Sequence, residues 1–306
     1  MADQEAGMDL SSRYDYSAIV DRPPMVLPGG ARVALWLIFN VEHYEYLPPP
    51  HPLRDPWPSR PHPDVVNYAR RDYGNRIGVW RMLDLLDRYA LRATISVNSA
   101  VLDHFPAIAE ELARRDVDFM GHGVYNTRYA AGLDPDAERA MIADVVDTVA
   151  RRTGRPVSGW LGPALTTTPV TPDLVAEAGI RYLADYLHDD EPCPIRVRAG
   201  ELMSVPYSLA LNDSPMIGRM QHSADTFARL VTDQFEVYHE EGRVRPKVLA
   251  LCLHPYAVNA PSRQRMLQRL LEHLAGHPDV WVATGSEIAE VGRVAWAGAA
   301  QSGGRR

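Results

Sequence analysis

Residues Arg32 to Phe39 (RVALWLIF) form an almost unbroken apolar run rich in Val, Ile, Leu and aromatic side chains. A run this short with these residue types reads as a strand, and its lack of polar alternation means that both faces are buried. Strands buried on both faces belong to parallel sheets covered by helices, which sets the class of fold. Further apolar strands are expected at 93–97, 117–120, 158–161, 180–184, 202–205, 248–253 and 280–283. Helical stretches separate them, at about 76–89, 106–115, 135–152, 172–178, 223–241 and 262–275. This alternation predicts an α/β fold: seven or eight parallel strands with helices outside, closed or nearly closed into one distorted (β/α)7-8 barrel. The chain lacks G-x-G-x-x-G after the first strand and lacks a Walker A sequence, so nucleotide-binding folds lose support.

The flanks divide the 306 residues into an N-terminal arm at 1–30, a single barrel domain at 31–292 and a flexible C-terminal tail at 293–306. Residues 44–72 carry eight prolines, including Pro48-Pro49-Pro50, which excludes helix through that run. Loops of this length serve as lids, binding loops or oligomer contacts, or simply wrap the surface; His51 and His62 within it read as surface residues. A net charge of −7 with scattered basic residues argues against nucleic acid and anionic membrane as partners. The acidic start, Met1-Ala2-Asp3-Gln4-Glu5, shows no secretory h-region, and the run ending at Phe39 is too short to span a bilayer. The expectation is a cytoplasmic protein with a small-molecule substrate. Of two cysteines, Cys252 reads as a small core residue rather than a nucleophile, because no activating partner is visible.

Chemistry-bearing residues collect at the carboxyl ends of the expected strands. Asn40 and Glu42 follow the first, and period 2 places them on one side with Val41 and His43 on the other. Gly121-His122-Gly123-Val124-Tyr125-Asn126 follows the third, with His122 and Asn126 spaced to converge on one ligand. Trp160, Asp185, Tyr207 with Asn212-Asp213, and His254 follow later strands. A parallel barrel brings all these ends to one face, where imidazoles and carboxylates suffice for acid–base hydrolysis.

Order and spacing of these pieces resemble the polysaccharide deacetylase (NodB-homology) superfamily, and within it the branch of metal-independent allantoinases and cyclic imidases. The resemblance covers roughly residues 30–292. It rests on Asn40-Val41-Glu42, Tyr73-Gly74-Asn75-Arg76-Ile77-Gly78-Val79-Trp80-Arg81, Gly121-His122-Gly123, Gly159-Trp160, Val205-Pro206-Tyr207 with Asn212-Asp213, and Leu253-His254-Pro255. It implies a distorted parallel barrel that hydrolyses non-peptide C–N bonds, with His122 and His254 at work. Relatives tend to be tetrameric, so a homo-oligomer, tetramer or dimer, is implied as well.

The departures narrow the chemistry. Metal-dependent relatives carry two aspartates after the first strand and a second histidine four residues after the first; here those positions hold Asn40, Glu42 and Asn126. Asn40 cannot take a proton, and an asparagine is a poor zinc ligand beside imidazole, thiolate or carboxylate. No cofactor is therefore expected; the alternative is one divalent metal (Zn) on Glu42, His122 and Asn126. The arginine and aspartate expected near Trp160 are replaced by Leu161-Gly162-Pro163. Without a metal to lower the pKa of water from 15.7 to about 7, an unactivated acetamide is a hard substrate. A cyclic amide or imide, as in allantoin, expels a better nitrogen. Glu42 is then the general base, or orients the water, and His122 polarises the carbonyl or shares the base role. His254 protonates the departing nitrogen, with Asp185 or Asp213 fixing its tautomer. Arg76, opening its helix, can hold a carboxylate or ureido carbonyl, and Trp160 can wall the pocket. Asn40, Asn126, Tyr207 and Asn212 complete the expected substrate contacts. The alternatives are a metal-dependent carbohydrate or amide deacetylase and a catalytically inactive ligand-binding relative.

Overall fold

In the computed structural model, which describes residues 12–22, 24–50 and 63–303, the apolar run becomes β1 (Val33–Val41), all nine residues buried. Strand alternation splits it cleanly. Val33, Leu35, Leu37, Phe39 and Val41 face the layer between sheet and helices, whereas Ala34, Trp36 and Ile38 face the barrel interior. Two more steps of the same period carry Asn40 and Glu42 onto the interior side, where they line a cavity above that inner core.

The remaining strands are β2 (Thr94–Val97), β3 (Asp118–Gly121), β4 (Gly159–Trp160), β5 (Tyr182–Leu183), β6 (Cys193–Ile195), β7 (Leu202–Ser204), β8 (Lys247–Leu253) and β9 (Val280–Ala283). They form one sheet in the order β6-β7-β5-β4-β3-β2-β1-β8, with β9 beside the first half of β1. All pairs are parallel except β6 with β7. The parallel α/β barrel read from the sequence is therefore the fold observed, distorted because β1 shares one edge between β9 and β2. The strand β6 was not expected. Pro194 sits at its centre, a residue that a sheet tolerates only on an edge, and β6 is an edge strand.

Among the described residues, no strand fills the last gap of the barrel. Instead β8 is tied to loop segments: Val248 N–H donates to Asp190 O, Cys252 N–H to Leu211 O, and His254 N–H to Asp213 Oδ2. A single parallel bridge, Asn212 with Cys252, marks the seam.

The helices are α1 (Val65–Tyr73), α2 (Val79–Tyr89), α3 (Ser99–His104), α4 (Pro106–Ala113), α5 (Pro135–Thr153), α6 (Thr171–Glu177), α7 (Ala224–Glu241), α8 (Pro261–Ala275) and α9 (Gly285–Gly303). Three differ from expectation: α3, between β2 and α4, has no counterpart among the expected helices, and the others are α1 and α9. Helix α1 occupies the end of the segment read as proline loop: the last proline is Pro63, and Asp64 caps the helix by accepting from Asn67 N. His51 and His62 lie outside the described residues. Residues read as a flexible tail from 293 onward continue α9 to Gly303. Alanine is the strongest helix former, and Trp296 docks the helix by donating Nε1–H to Pro192 O at 2.9 Å. The N-terminal arm is anchored as well: buried Arg13 makes a two-pronged ion pair with Asp173, and Met25 and Leu27 join the inner core. Among the described residues, no helix is long and apolar enough to cross a membrane.

Candidate active site

A cavity of about 310 Å³ opens at the carboxyl ends of the strands, with Asn40, Glu42, His122, Asn126 and His254 in its wall. Glu42, His122 and His254 each come directly off a strand end, Asn40 is the last residue but one of β1, and Asn126 lies in the loop after β3. His122 follows β3, and its N–H donates to Val97 O, continuing the ladder to β2. His254 follows β8 in the same way.

Glu42 is the hub, 5% exposed. Its Oε1 stands 3.3 Å from His254 Nε2 and 3.8 Å from His122 Nε2. Its Oε2 faces Arg71 Nε at 3.3 Å and accepts from Tyr256 OH at 3.1 Å. Burial by itself pushes this carboxyl up, but the charges of His254 and Arg71 oppose it and hold Glu42 well below the usual carboxylate range. Glu42 is ionised.

Asp213 sets the state of His254. Its Oδ1 lies 2.6 Å from His254 Nδ1 and its Oδ2 accepts the His254 N–H at 2.9 Å. Burial lowers the imidazole's affinity for its proton, yet Asp213 and Glu42 together push it up to about 9. At neutral pH His254 is an imidazolium with Nε2–H toward Glu42. His122 is different: its Nδ1 lies 2.7 Å from Leu161 O, which can only accept. Nδ1 therefore carries the proton, and in the neutral ring the Nε2 lone pair faces Glu42 and the cavity.

Arg71 is the second cation. Its guanidinium is stacked between the rings of Tyr44 and Tyr256, 3.8 and 4.4 Å from their centroids, and donates to both hydroxyls. Burial disfavours its charge, but Tyr256, Tyr44 and Glu42 raise its pKa above the ordinary arginine value. A π-helical turn, Gly74–Gly78, links α1 to α2 and holds this region against the segment after β8. A Cβ on Gly78 would lie 2.2 Å from Pro255 O, so only glycine permits the approach. From the same turn Asn75 Nδ2 donates to Glu42 O at 2.9 Å.

The expected residues divide as follows. Glu42, His122, His254, Asn40, Asn126, Tyr207 and Asn212 converge on the cavity, and Asp213 stands behind His254. Asp185 does not reach His254; it accepts Gly162 N–H at 2.8 Å, and burial raises its carboxyl to about 7. It steadies the backbone beside Leu161 rather than fixing a tautomer. Trp160 is fully buried in the outer core and does not wall the pocket. Strand parity explains this, since Leu161 faces inward and lines the cavity in its place. Arg76 is on the surface, paired with Asp72 at 2.7 Å; exposed Arg219 lines the rim instead.

Sequence reasoning missed Arg71, Tyr44, Tyr256 and Asn75. Tyr44 and Tyr256 each lie two residues beyond a recognised site residue, which was the available signal. The expected zinc set of Glu42, His122 and Asn126 provides one carboxylate, already facing two cations, one imidazole and one amide. Among the described residues, no group of three or more His, Cys, Asp or Glu side chains is arranged to hold a metal.

Fold and site together define a distorted (β/α) barrel with acid–base groups at the carboxyl ends of its strands, the architecture of a C–N bond hydrolase. Comparison with known proteins makes this specific. Residues 64–183 match the polysaccharide deacetylase family. A protein designated a polysaccharide deacetylase in Schizosaccharomyces pombe is 27% identical over 252 residues, covering 77% of this chain and 78% of that protein. The crystal structure of Puue allantoinase superposes with a TM-score of 0.78 at 25% identity, covering 92% of this chain and 98% of that one. A probable polysaccharide deacetylase from Pseudomonas aeruginosa PAO1 gives 0.78 at 26%, covering 91% and 97%. In sequence over residues 64–183 and in fold over nearly its whole length, the chain is similar to the polysaccharide deacetylase (NodB-homology) superfamily.

Proposed function

We propose that this protein opens a small cyclic amide or imide by metal-independent hydrolysis of a ring C–N bond. The pairing of Glu42 with two fixed cations, Arg71 and the His254 imidazolium, supports this most directly. Those cations already balance the carboxylate, and a guanidinium 3.3 Å away repels a dication. The donor set does not fit zinc, and no step passes through one. A cavity of about 310 Å³ suits a small ring.

The two imidazoles divide the work. Glu42 Oε1 and His122 Nε2 are 3.8 Å apart, too far to bond each other. A water about 2.8 Å from both donates one O–H to each, with each bond bent only about 10° from linear. Attack on the ring carbonyl sends that water's proton to His122 Nε2, while Glu42, held ionised, orients the water through its other O–H. The His254 charge stabilises the developing oxyanion, and its Nε2 proton passes to the leaving nitrogen. The C–O bond forms, the ring C–N bond breaks, and a proton returned from His122 to His254 resets the pair. Similarity to Puue allantoinase supports a ring substrate.

A second reading, metal-dependent removal of an acetyl group from a carbohydrate, is favoured by the family and by the designation of the S. pombe relative. A turnover screen over cyclic imides, hydantoins and acetylated sugar oligomers, with and without chelator, separates the two. Ring opening that survives chelation is expected. Chelator-sensitive release of acetate, with no ring opened, would defeat the proposal in favour of the second reading.

A further inference from the structure

Three asparagines line the cavity, and two have their amides fixed. Asn40 donates Nδ2–H to Leu253 O and accepts from Tyr207 OH. Asn212 donates to Tyr207 OH and accepts Ser214 N–H. Asn126 differs. It is only 7% exposed, and among the described residues nothing hydrogen-bonds to its buried Oδ1. Its backbone, by contrast, is held, with N–H donating to His43 O at 3.0 Å. Leaving a buried amide oxygen unpaired costs about 1–3 kcal/mol, so an unpaired amide in the wall of a ligand cavity implies a partner in the ligand.

We propose that Asn126 determines specificity by pairing its carboxamide edge with the cis-amide edge of a cyclic imide or ureide bearing a free ring N–H. This rests on the ring-opening function above and names the class of ring. A primary amide offers an acceptor and an N–H donor side by side in one plane. A small ring locks its amide cis, so its N–H and C=O lie on the same side and meet both groups at once. An acyclic secondary amide is trans, with N–H and C=O opposed, and reaching cis costs about 2.5–4 kcal/mol. The same edge thus accepts a ring and rejects a linear acetamide. Nothing among the described residues hydrogen-bonds to the Asn126 Oδ1, and the terminal torsion of asparagine is soft, so the edge turns toward a ligand at little cost. An imide carries this edge on both sides of its N–H, so either orientation of the Asn126 amide is served.

With an imide bound, Asn126 takes the N–H and one carbonyl in the plane of the ring. The other carbonyl is left for the water between Glu42 and His122. As that carbonyl becomes tetrahedral, the nitrogen lone pair emerges out of the plane, where the His254 proton is delivered. Water contributes OH to the carbonyl carbon and, by way of the two histidines, H to nitrogen; the product is a carboxylic acid and a primary amide.

The test compares wild type and Asn126→Leu on succinimide and N-methylsuccinimide. Wild type is expected to favour the free N–H ring by ~10- to 100-fold in kcat/KM. Asn126→Leu should lower kcat/KM for succinimide by a similar factor and for the N-methyl ring by distinctly less, because the methylated ring keeps a carbonyl for the Asn126 amide but has no ring N–H to pair. Equal losses on both rings, or a wild type that does not distinguish them, would overturn the assignment. Should neither ring be opened, the proposed function fails, and Asn126 is judged by equilibrium binding of the same two rings. Tighter binding of the free N–H ring that vanishes in the variant keeps the assignment, and equal binding removes it. If the leucine variant does not fold, Asn126→Ala takes its place with the same expected loss of discrimination.

Discussion

Replacing Asp213 with asparagine removes one charge and one acceptor while preserving shape. Asp213 uses two oxygens to accept two N–H groups of His254, at 2.6 Å from the ring and 2.9 Å from the backbone. Asparagine has a single acceptor, so one donor must then face another, or the imidazole must change tautomer. The magnitude follows from His254 itself. Lifting a buried imidazole from its ordinary 6.5 to about 9 corresponds to about 3 kcal/mol of preference for the charged form. Because the folded value is raised, this stabilisation is complete below pH 6.5 and is lost as pH rises through about 9. Asp213→Asn should therefore be most destabilised relative to wild type in mildly acidic solution, with the gap closing on the alkaline side. Titration of the His254 Cε1–H signal by NMR reads the same quantity without needing substrate, and should move from near 9 toward neutrality. On an active substrate, the alkaline limb of kcat should move with it, with a loss at its optimum of about 10²- to 10⁴-fold. A variant whose His254 still titrates near 9, or whose alkaline limb does not move, would refute the assignment of Asp213 as the group that keeps the acid charged.

Arg71→Met should cost about 3–5 kcal/mol in urea unfolding, because Glu42 stays buried with one cation fewer. Glu42→Gln should fold, but turn over at least ~100-fold more slowly in steady-state assays, since it loses both the anchor for water and the partner of His254. Gly78→Ala forces the π-helical turn away from Pro255 and should lower Tm and kcat together by calorimetry and kinetics, with about 1–3 kcal/mol lost. Exhaustive dialysis against chelator should leave both Tm and ring-opening activity unchanged, because two side-chain cations fill the charge-balancing role at Glu42.

Much of the barrel was legible because the signal is local. An apolar run such as β1 cannot be anything but a doubly buried strand, and its alternation carries Asn40 and Glu42 to the correct face without any tertiary information. His122 and His254 were legible for the same reason: each ends a strand. Legibility failed where position depends on what packs against a residue. Arg76, at the start of an expected helix, reads as the substrate-holding cation, and Arg71 goes unnoticed in the proline-rich segment; yet Arg71 is stacked between two tyrosines while Arg76, beyond it in the π-turn, meets solvent. Trp160 was assigned to the pocket by chemistry alone, when one step of strand parity sends it into the outer core. Asp185 and Asp213 were interchangeable on paper; the seam beside β8 selects Asp213. The last helix went unread although Ile288, Val291, Ala295 and Trp296 fall at helical spacing and pack against the inner core, because small alanine and glycine residues between them dilute the stripe.

The unstranded seam has a further meaning. Cys252 and His254 hang their amide protons on Leu211 and Asp213, so the carboxylate that keeps the acid protonated is also the clasp that shuts the barrel wall. Assembly of the reaction centre and completion of the barrel are then a single event, and a chain with this clasp undone is neither closed nor primed. Deuterium uptake at those two amides should rise together in Asp213→Asn, well before the rest of β8 exchanges, reporting on catalytic readiness through the backbone alone.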